Sequence, residues 1–186
     1  MSSFEVIVAC TSQGGIGKDG KIPWHIPSDM RRFRALTTAT SEKHMQNAVI
    51  MGRKTWESIG SKPLPKRNNI IVTRSGVCHP DAIAVPSLDE ALEWCKTSPS
   101  IERAFVIGGQ SLYEEAIRHE KCTGVLLTLV RGFYDCDVFF PLEEASKRFS
   151  THRVVEEDED AIYSFMTSTI PRDSSPAVRM HEDHHQ

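Results

Sequence analysis

One carboxylate in this chain stands where it could do acid–base chemistry. Asp29 follows the helix-start pair Pro27-Ser28 and precedes Phe33 and Leu36 at helical spacing. At about 100° per residue, a helix over 29–37 places Asp29 between Phe33 and Leu36, with Met30 just beyond, and turns Arg31 and Arg34 away. An acid on an apolar face loses hydration, which raises its pKa and equips it to hold or promote transfer of a proton. The plain alternative is a helix cap, because first-turn carboxylates also suit the positive end of the macrodipole. Spacing alone does not choose between these roles, so other residues must.

Three strand ends carry a second chemistry, the binding of an anion. Val49-Ile50-Met51 runs into Gly52, Arg53, Lys54 and Thr55: a glycine where the backbone turns, two cations, and a hydroxyl at a helix start, a set suited to phosphate. Ile70-Ile71-Val72 ends in Thr73, Arg74 and Ser75, again hydroxyls and a cation. Phe105-Val106-Ile107 ends in Gly108, Gly109, Gln110 and Ser111, where adjacent glycines let the main chain approach a pyrophosphate closely. Glycine after a strand is also ordinary turn chemistry. Three such ends in one small protein point instead to a nucleotide across the carboxyl edge of an α/β sheet. Selection of an unphosphorylated ribose would place an acid about 20 residues beyond the first glycine turn. Thr73-Arg74 stands there, so a 2′-phosphate, and hence NADPH over NADH, is expected. None of the three ends carries a G-x-G-x-x-G or a G-x-x-x-x-G-K-[ST] motif, so the cradle is neither a standard Rossmann turn nor a P-loop.

Gly14, Gly15, Gly17 and Gly20 cluster between the first apolar run and Ile22-Pro23-Trp24. Such a stretch can be a simple surface turn. Its position ahead of the Asp29 helix favours a mobile lid that closes over a ligand and excludes water.

These residues need elements to hold them. Short β-branched apolar runs at 5–10, 48–51, 69–73, 82–85, 104–107, 125–130, 152–155 and 163–169 predict strands. Helical patterns fit 29–37, 55–59, 88–96 with Ser87 as its cap, and 112–119. The first five runs are nearly continuous, as parallel strands covered on both faces are; the last three stand without helices between them, as an antiparallel finish would. The expected fold is α/β: a single domain with a mixed, mostly parallel sheet of about eight strands, helices on both faces and antiparallel C-terminal strands. It should occupy 1–170, with 171–186 a polar, disordered tail whose His181, His184 and His185 are better read as solvated than as metal ligands.

Composition narrows the function classes. A chain of 186 residues suffices for one domain with a large core. A net charge of −3 and a pI near 6.2 give no general attraction to nucleic acid or anionic lipid, so any anion must be held by local cations. Five scattered cysteines without a C-x-x-C pair argue against a disulfide framework and a structural zinc site, and no metal is expected. No apolar run approaches membrane-spanning length, and the expectation is a soluble, cytoplasmic monomer.

Taken together, the ordered motifs resemble the dihydrofolate reductase family. They are Gly15-Ile16-Gly17, Ile22-Pro23-Trp24, the helix from Asp29 to Phe33, the run from Val49 through Gly52-Arg53-Lys54-Thr55-Trp56 to Ile59, Pro63-Leu64-Pro65-Lys66-Arg67-Asn68, Val106-Ile107-Gly108-Gly109, and Asp137-Val138-Phe139-Phe140-Pro141. The resemblance extends from Val6 to about Thr169. It implies NADPH-dependent reduction of 7,8-dihydrofolate to tetrahydrofolate, with hydride to pterin C6 and a proton to N5, and sensitivity to antifolates.

By the same resemblance, Asp29, Trp24 and Thr128 are the catalytic residues, Asp29 pairing with the amino-pyrimidine edge of the pterin and Thr128 bonding to it. The substrate would lie among Ile7, Val8, Met30, Phe33 and Ile107, with Ile59 and Leu64 beside the aminobenzoyl ring. Arg67 would clamp the glutamate α-carboxylate, a bidentate task that Lys66 could not perform equally well. The nicotinamide would sit near Ala9, Ile16 and Trp24, with Gly17, Gly20, Lys21 and Ile22 on the lid side and Tyr113 close by. Gly52, Arg53, Lys54 and Thr55 would meet the phosphates from one side, and Gly108, Gly109, Gln110, Ser111 and Leu112 from the other. Thr73, Arg74 and Ser75 would hold the 2′-phosphate. A fused thymidylate synthase domain is not expected in this length. Two readings stay open beside this one: a reductase of a pyrimidine or pterin precursor, which would not need Asp29 with Arg67, and a non-catalytic folate or nucleotide binder, against which Asp29 and Gly108-Gly109 speak.

Overall fold

Parallel β-pairing dominates the molecule, because most of its strands are separated by helices that return the chain to the same edge. The computed structural model describes residues 2–76 and 79–168; Cys78, Thr169 and the tail 171–186 with its three histidines lie outside the described residues. The chain runs β1 (Phe4–Thr11), β2 (Gly15–Gly17), α1 (Pro27–Thr38), β3 (Gln46–Gly52), α2 (Arg53–Ser58), β4 (Asn68–Val72), β5 (Ala82–Val85), α3 (Leu88–Thr97), β6 (Ile101–Gly108), α4 (Gln110–Arg118), β7 (Cys122–Val130), β8 (Val138–Phe139), α5 (Leu142–Arg148), β9 (Thr151–Glu157) and β10 (Ala161–Thr167).

The main sheet has eight strands in the order β5-β4-β3-β6-β1-β7-β10-β9. From β5 to β7 neighbouring strands are parallel; β10 is antiparallel to both β7 and β9. The mixed α/β fold expected from the sequence is therefore present, with one correction: β7 joins the parallel set through β1, and α5 separates it from β9. Helix α5 is only seven residues long, and its apolar contribution comes chiefly from Ala145, too weak a pattern to stand out in the sequence. The β2–β8 ribbon was likewise invisible, since a Gly-Ile-Gly strand has almost no side chains to read.

The two faces of the sheet do different work. On one, Val6, Val8, Cys10, Ile50, Val106, Val125 and Leu127 pack against Leu88, Leu92 and Cys95 of α3 and against Leu112, Tyr113 and Ile117 of α4. On the other, Val49, Met51 and Ile71 pack against Trp56 of α2, bordered by Ile59, Leu64 and Ile107. Helix α1 lies over this second face but buries only Thr37 fully. Its ends are held by different strands: Asp29 meets Thr128 of β7, while buried Asn47 of β3 donates to the carbonyls of Thr37 (3.0 Å) and Ala39 (2.8 Å). Since β6 and β1 lie between β3 and β7, the helix crosses them, and the only partly buried Asp29, Phe33 and Leu36 of α1 mark an open space, the cleft.

Candidate active site

Asp29 is held by a hydroxyl, not by its helix. Pro27 starts α1 with its fixed φ, and the N-cap position is Ile26, which has no side-chain oxygen to offer. No side-chain cap bond forms, so the cap reading of Asp29 reduces to its favourable place near the macrodipole. Its Oδ1 accepts from Thr128 Oγ1 at 2.8 Å. Burial pushes its pKa above the usual carboxylate value; the Thr128 bond and nearby Arg32 work against that rise, and Asp158 adds to it. Strand register puts Ala9, Thr128 and Tyr163 in one row across β1, β7 and β10, so Ala9 and Thr128 face the same side. Ile7 shares that face; Val8 does not. Val8 alternates into the opposite core with Val6 and Cys10, which leaves only its main chain for a ligand in the cleft. Phe33 is half-buried, whereas Met30 is 59% exposed at the cleft end of the helix.

The far end of α1 holds a buried cation. Arg67 is 8% exposed, donates from Nη1 to Thr37 Oγ1 (3.0 Å) and from Nε to the Pro65 carbonyl (2.9 Å), and lies 5.9 Å from the Phe33 ring centre. Its loop is shaped by Asn69 of β4, which accepts from Leu64 N–H (2.8 Å) and donates to the carbonyls of Leu64 and Arg67, both at 3.0 Å. Burial, then the neighbouring Arg34, depresses the guanidinium pKa. Neither Arg67 nor Asp29 makes an ion pair among the described residues.

The three anion-type strand ends converge. They close β4, β3 and β6, which are adjacent in the sheet. Gly52 and Gly109 are the N-cap residues of α2 and α4, and neither helix has a side-chain cap; α3, by contrast, is capped by Ser87 Oγ accepting from Glu90 N–H. A Cβ on Gly52 would lie 3.8 Å from Gly108 O and Gly109 N, so the two helix starts abut. Gly108 has φ +128, and the Gly108–Gly109 peptide is cis. Thr55 Oγ1 borders both glycines, 3.4 Å from where a Cβ on either would stand. Arg53 bonds to Ser75 Oγ and to Glu57, and Thr73 Oγ1 donates to the Ser75 carbonyl at 2.9 Å, so these residues form one cluster. Lys54, Arg74 and Ser111 are exposed beside it.

A protein-family model described as Dihydrofolate reductase matches residues 3–172. The chain belongs to the dihydrofolate reductase family. The dihydrofolate reductase of Aedes albopictus is 35% identical over 168 residues, covering 86% of this chain and 88% of that protein. That of Heliothis virescens is 39% identical over 147 residues, with 74% and 78% covered. The bifunctional dihydrofolate reductase-thymidylate synthase of Daucus carota is 44% identical over 153 residues, which is 77% of this chain but 29% of that protein. The chain thus spans under a third of the length of such bifunctional relatives.

Within this dihydrofolate reductase fold, several expected cofactor residues point elsewhere. Leu112 and Tyr113 lie in the core; the Tyr113 hydroxyl is 2.8 Å from the carbonyls of both Ile7 and Ile107 and so ties α4 to β1 and β6. Gln110 Oε1 accepts from Phe139 N–H at 2.8 Å, linking the α4 start to β8. These three can offer a ligand their main chains rather than those side-chain groups.

The glycine-rich stretch is anchored at its base. Gly15 and Gly17 pair with β8, and they must be glycine: a Cβ would come within 2.5 Å of Cys136 Sγ at the first and 2.8 Å of Val138 Cγ2 at the second. Gly15, Gly17 and Gly20 have the spacing of a dinucleotide fingerprint, but no helix opens there; Lys18 and Lys21 exchange main-chain bonds of 2.8 and 3.0 Å around a tight turn with Asp19 and Gly20 at positive φ. Ile16 packs at the edge of the core, Ile22 is 67% exposed, and Trp24 meets Tyr134 edge-on at 5.4 Å.

Sequence reasoning missed the residues that hold the site from behind. Thr37, Asn47 and Asn69 carry the Arg67 end; Ser28, Tyr163 and Asp158 stand beside Asp29. One signal was available, because Asn47 and Asn69 interrupt strands that otherwise bury apolar side chains, and a buried amide needs partners.

Proposed function

We propose that the protein reduces 7,8-dihydrofolate to tetrahydrofolate with NADPH as reductant. The observation that carries this reading is a pair of opposite charges in one cleft: Asp29 and, beside Thr37 eight residues along the helix, Arg67, neither in an ion pair among the described residues. Eight residues of helix span roughly 12 Å. A ligand that ends in a flat edge of N–H donors at one side and a carboxylate at the other matches that pair, and a pterin joined through a ring to glutamate is such a ligand.

When bound, NADPH supplies the hydride taken by pterin C6. Asp29 presents its outer oxygen to the amino-pyrimidine edge while Thr128 fixes the other. Because burial makes the acid readier to hold a proton, it can bias the ring's tautomers at the edge it grips, while the proton that N5 gains would come from solvent through a water, since N5 is remote from that edge. Arg67 sets the substrate's reach through its carboxylate. In this reading Trp24 and the turn before it would shield the reacting atoms from water.

The residues at the sheet edge fit a dinucleotide phosphate. Two abutting helix starts without side-chain caps leave main-chain N–H groups for anionic oxygens, and Arg53, Thr73, Arg74 and Ser75 offer cations and hydroxyls where a ribose-binding acid would otherwise stand. That set supports NADPH over NADH. Among the described residues no helix is long and apolar enough to cross a membrane. Antifolates with the same amino-pyrimidine edge are expected to compete at Asp29.

The test is oxidation of NADPH or NADH with dihydrofolate present and absent. Dihydrofolate-dependent oxidation that strongly prefers NADPH is expected. Oxidation independent of dihydrofolate would overturn the substrate, and equal use of NADH would overturn the cofactor assignment.

A further inference from the structure

Ser28 stands immediately before Asp29, and its hydroxyl lies between two groups from the far end of the chain: Tyr163 Oη at 3.0 Å and Asp158 Oδ2 at 3.3 Å. Proton counting gives this contact a direction. Asp158 Oδ1 accepts N–H bonds from Asp160 (2.8 Å) and Ala161 (2.9 Å), and these bonds, with that from Ser28, hold its carboxyl below the usual range. An ionised carboxylate only accepts. Ser28, with one hydroxyl hydrogen, therefore donates to Asp158, and Tyr163 donates to Ser28. The Tyr163 hydroxyl hydrogen is thus drawn towards Ser28, and its oxygen offers only lone pairs to other neighbours.

Tyr163 is the register partner of Thr128, the residue that bonds Asp29. The chain of hydroxyls so ends on the strand next to the one that carries the acid's hydroxyl partner. Charged and titratable groups reach Asp29 from several elements: Arg32 on α1, Tyr113 on α4, Tyr163 on β10 and Asp158 in the turn before it. Arg32 lies over the Tyr163 ring at 4.8 Å and is partly offset by Glu156 of β9 at 3.6 Å. Thr128 and Arg32 favour the ionised acid; burial and Asp158 favour the protonated one.

We propose that Asp158, Ser28 and Tyr163 form a positioning relay at the first turn of α1, in which the Asp158 carboxylate, acting through the Ser28 hydroxyl, fixes the direction of the Tyr163 hydroxyl beside the Asp29–Thr128 pair. Its functional meaning rests on the reductase reading, so the test titrates the acid itself. Isotope-labelled aspartate carboxyls are followed by NMR against pH in the protein without ligand, the Asp29 signal being assigned by its loss in Asp29→Asn.

Asp158→Asn keeps an oxygen for the Asp160 and Ala161 N–H groups, yet it removes the charge and lets an amide donate to Ser28, which reverses the relay. The Asp29 midpoint should fall by a few tenths of a unit, Asp158→Glu should restore most of it, and Ser28→Ala should give a smaller fall because the charge remains. High salt should shrink the Asp158→Asn shift, since screening acts over about 3 Å at 1 M. Midpoints that coincide in wild type, Asp158→Asn and Ser28→Ala, or that rise, would overturn the relay, whatever the variants do to stability. Dihydrofolate-dependent NADPH oxidation is measured separately, so loss of the reductase reading and loss of the relay are told apart.

Discussion

The two ends of α1 hold opposite charges in opposite ways. Asp29 is fixed by one hydroxyl, Thr128, and lies beside the run of hydroxyls through Ser28. Arg67 also meets one hydroxyl, that of Thr37, but its loop is braced by main chain and amide: Arg67 donates to the Pro65 carbonyl, and Asn69 binds the Arg67 carbonyl. Burial works against the charge at both ends, raising the acid's pKa and lowering the guanidinium's. The difference matches the tasks proposed for the two residues. A group that must change protonation sits among hydroxyls that can reorient, whereas a group that need only stay charged and aimed sits on a braced loop. Changes at the first end should act on turnover and its pH profile, and changes at the second on KM.

The widest separation is expected from Asp29→Asn. Its turnover at neutral pH should drop by about 10²–10⁴-fold, the usual worth of positioned acid–base help, with NADPH binding retained and partial recovery at low pH where the substrate carries its own proton. Steady-state kinetics across pH check this; near-normal turnover at neutral pH would remove the first half of the comparison. Arg67→Leu comes next. It should raise KM for dihydrofolate roughly 10–100-fold, the worth of a charged hydrogen-bonded contact, with little change in kcat. Arg67→Lys should fall between, because an ammonium cannot make the paired bonds of a guanidinium. A fall in kcat without a rise in KM would mean the two ends are not divided as argued.

Smaller effects refine the comparison. Thr128→Val removes a bond to the ionised form of Asp29, so the acid's pKa rises further and the pH profile moves up, with turnover reduced by about tenfold or less. Asn69→Ala leaves the Leu64 N–H and the Arg67 carbonyl without their partner, which should cost about 1–3 kcal/mol of stability and loosen KM, yet leave the pH profile in place. Denaturant unfolding and pH-dependent kinetics on both variants separate these outcomes.

What the sequence could show differs along the same line. Asp29, the glycine cradles and the strands around them announce themselves through residue type and local spacing, and strands β3, β4 and β6 do stand side by side as the three anion-type ends required. Strand parity was hidden: in a continuous apolar run such as that of β1, nothing local says that Ile7 faces the cleft and Val8 the opposite core. The bracing of Arg67 was hidden because Thr37 lies thirty residues away, while the bonds with nearby Pro65 and Asn69 depend on a loop geometry that residue type does not reveal. Short elements such as β2 and α5 were hidden because their positions are fixed by contacts with β8 and α4 rather than by pattern.

Stability against pH gives the last and smallest test of the contrast. Burial lifts the folded-state pKa of Asp29 above its unfolded value, so folding favours the protonated acid. That contribution is fully present below the unfolded pKa, about 4, and is lost as pH rises through the folded value. At neutral pH the ionised acid therefore works against the fold. An amide in its place keeps an oxygen for the Thr128 hydroxyl without the charge, so Asp29→Asn should be more stable than wild type by about 0.5–2 kcal/mol at neutral pH, a few degrees in Tm, with the gain vanishing in acid. Arg67→Leu should show no such pH-linked change between about pH 4 and 8, because a guanidinium stays protonated there even when burial lowers its pKa. Parallel Tm-against-pH curves for the two variants would erase the distinction between a charge held to titrate and a charge held to stay.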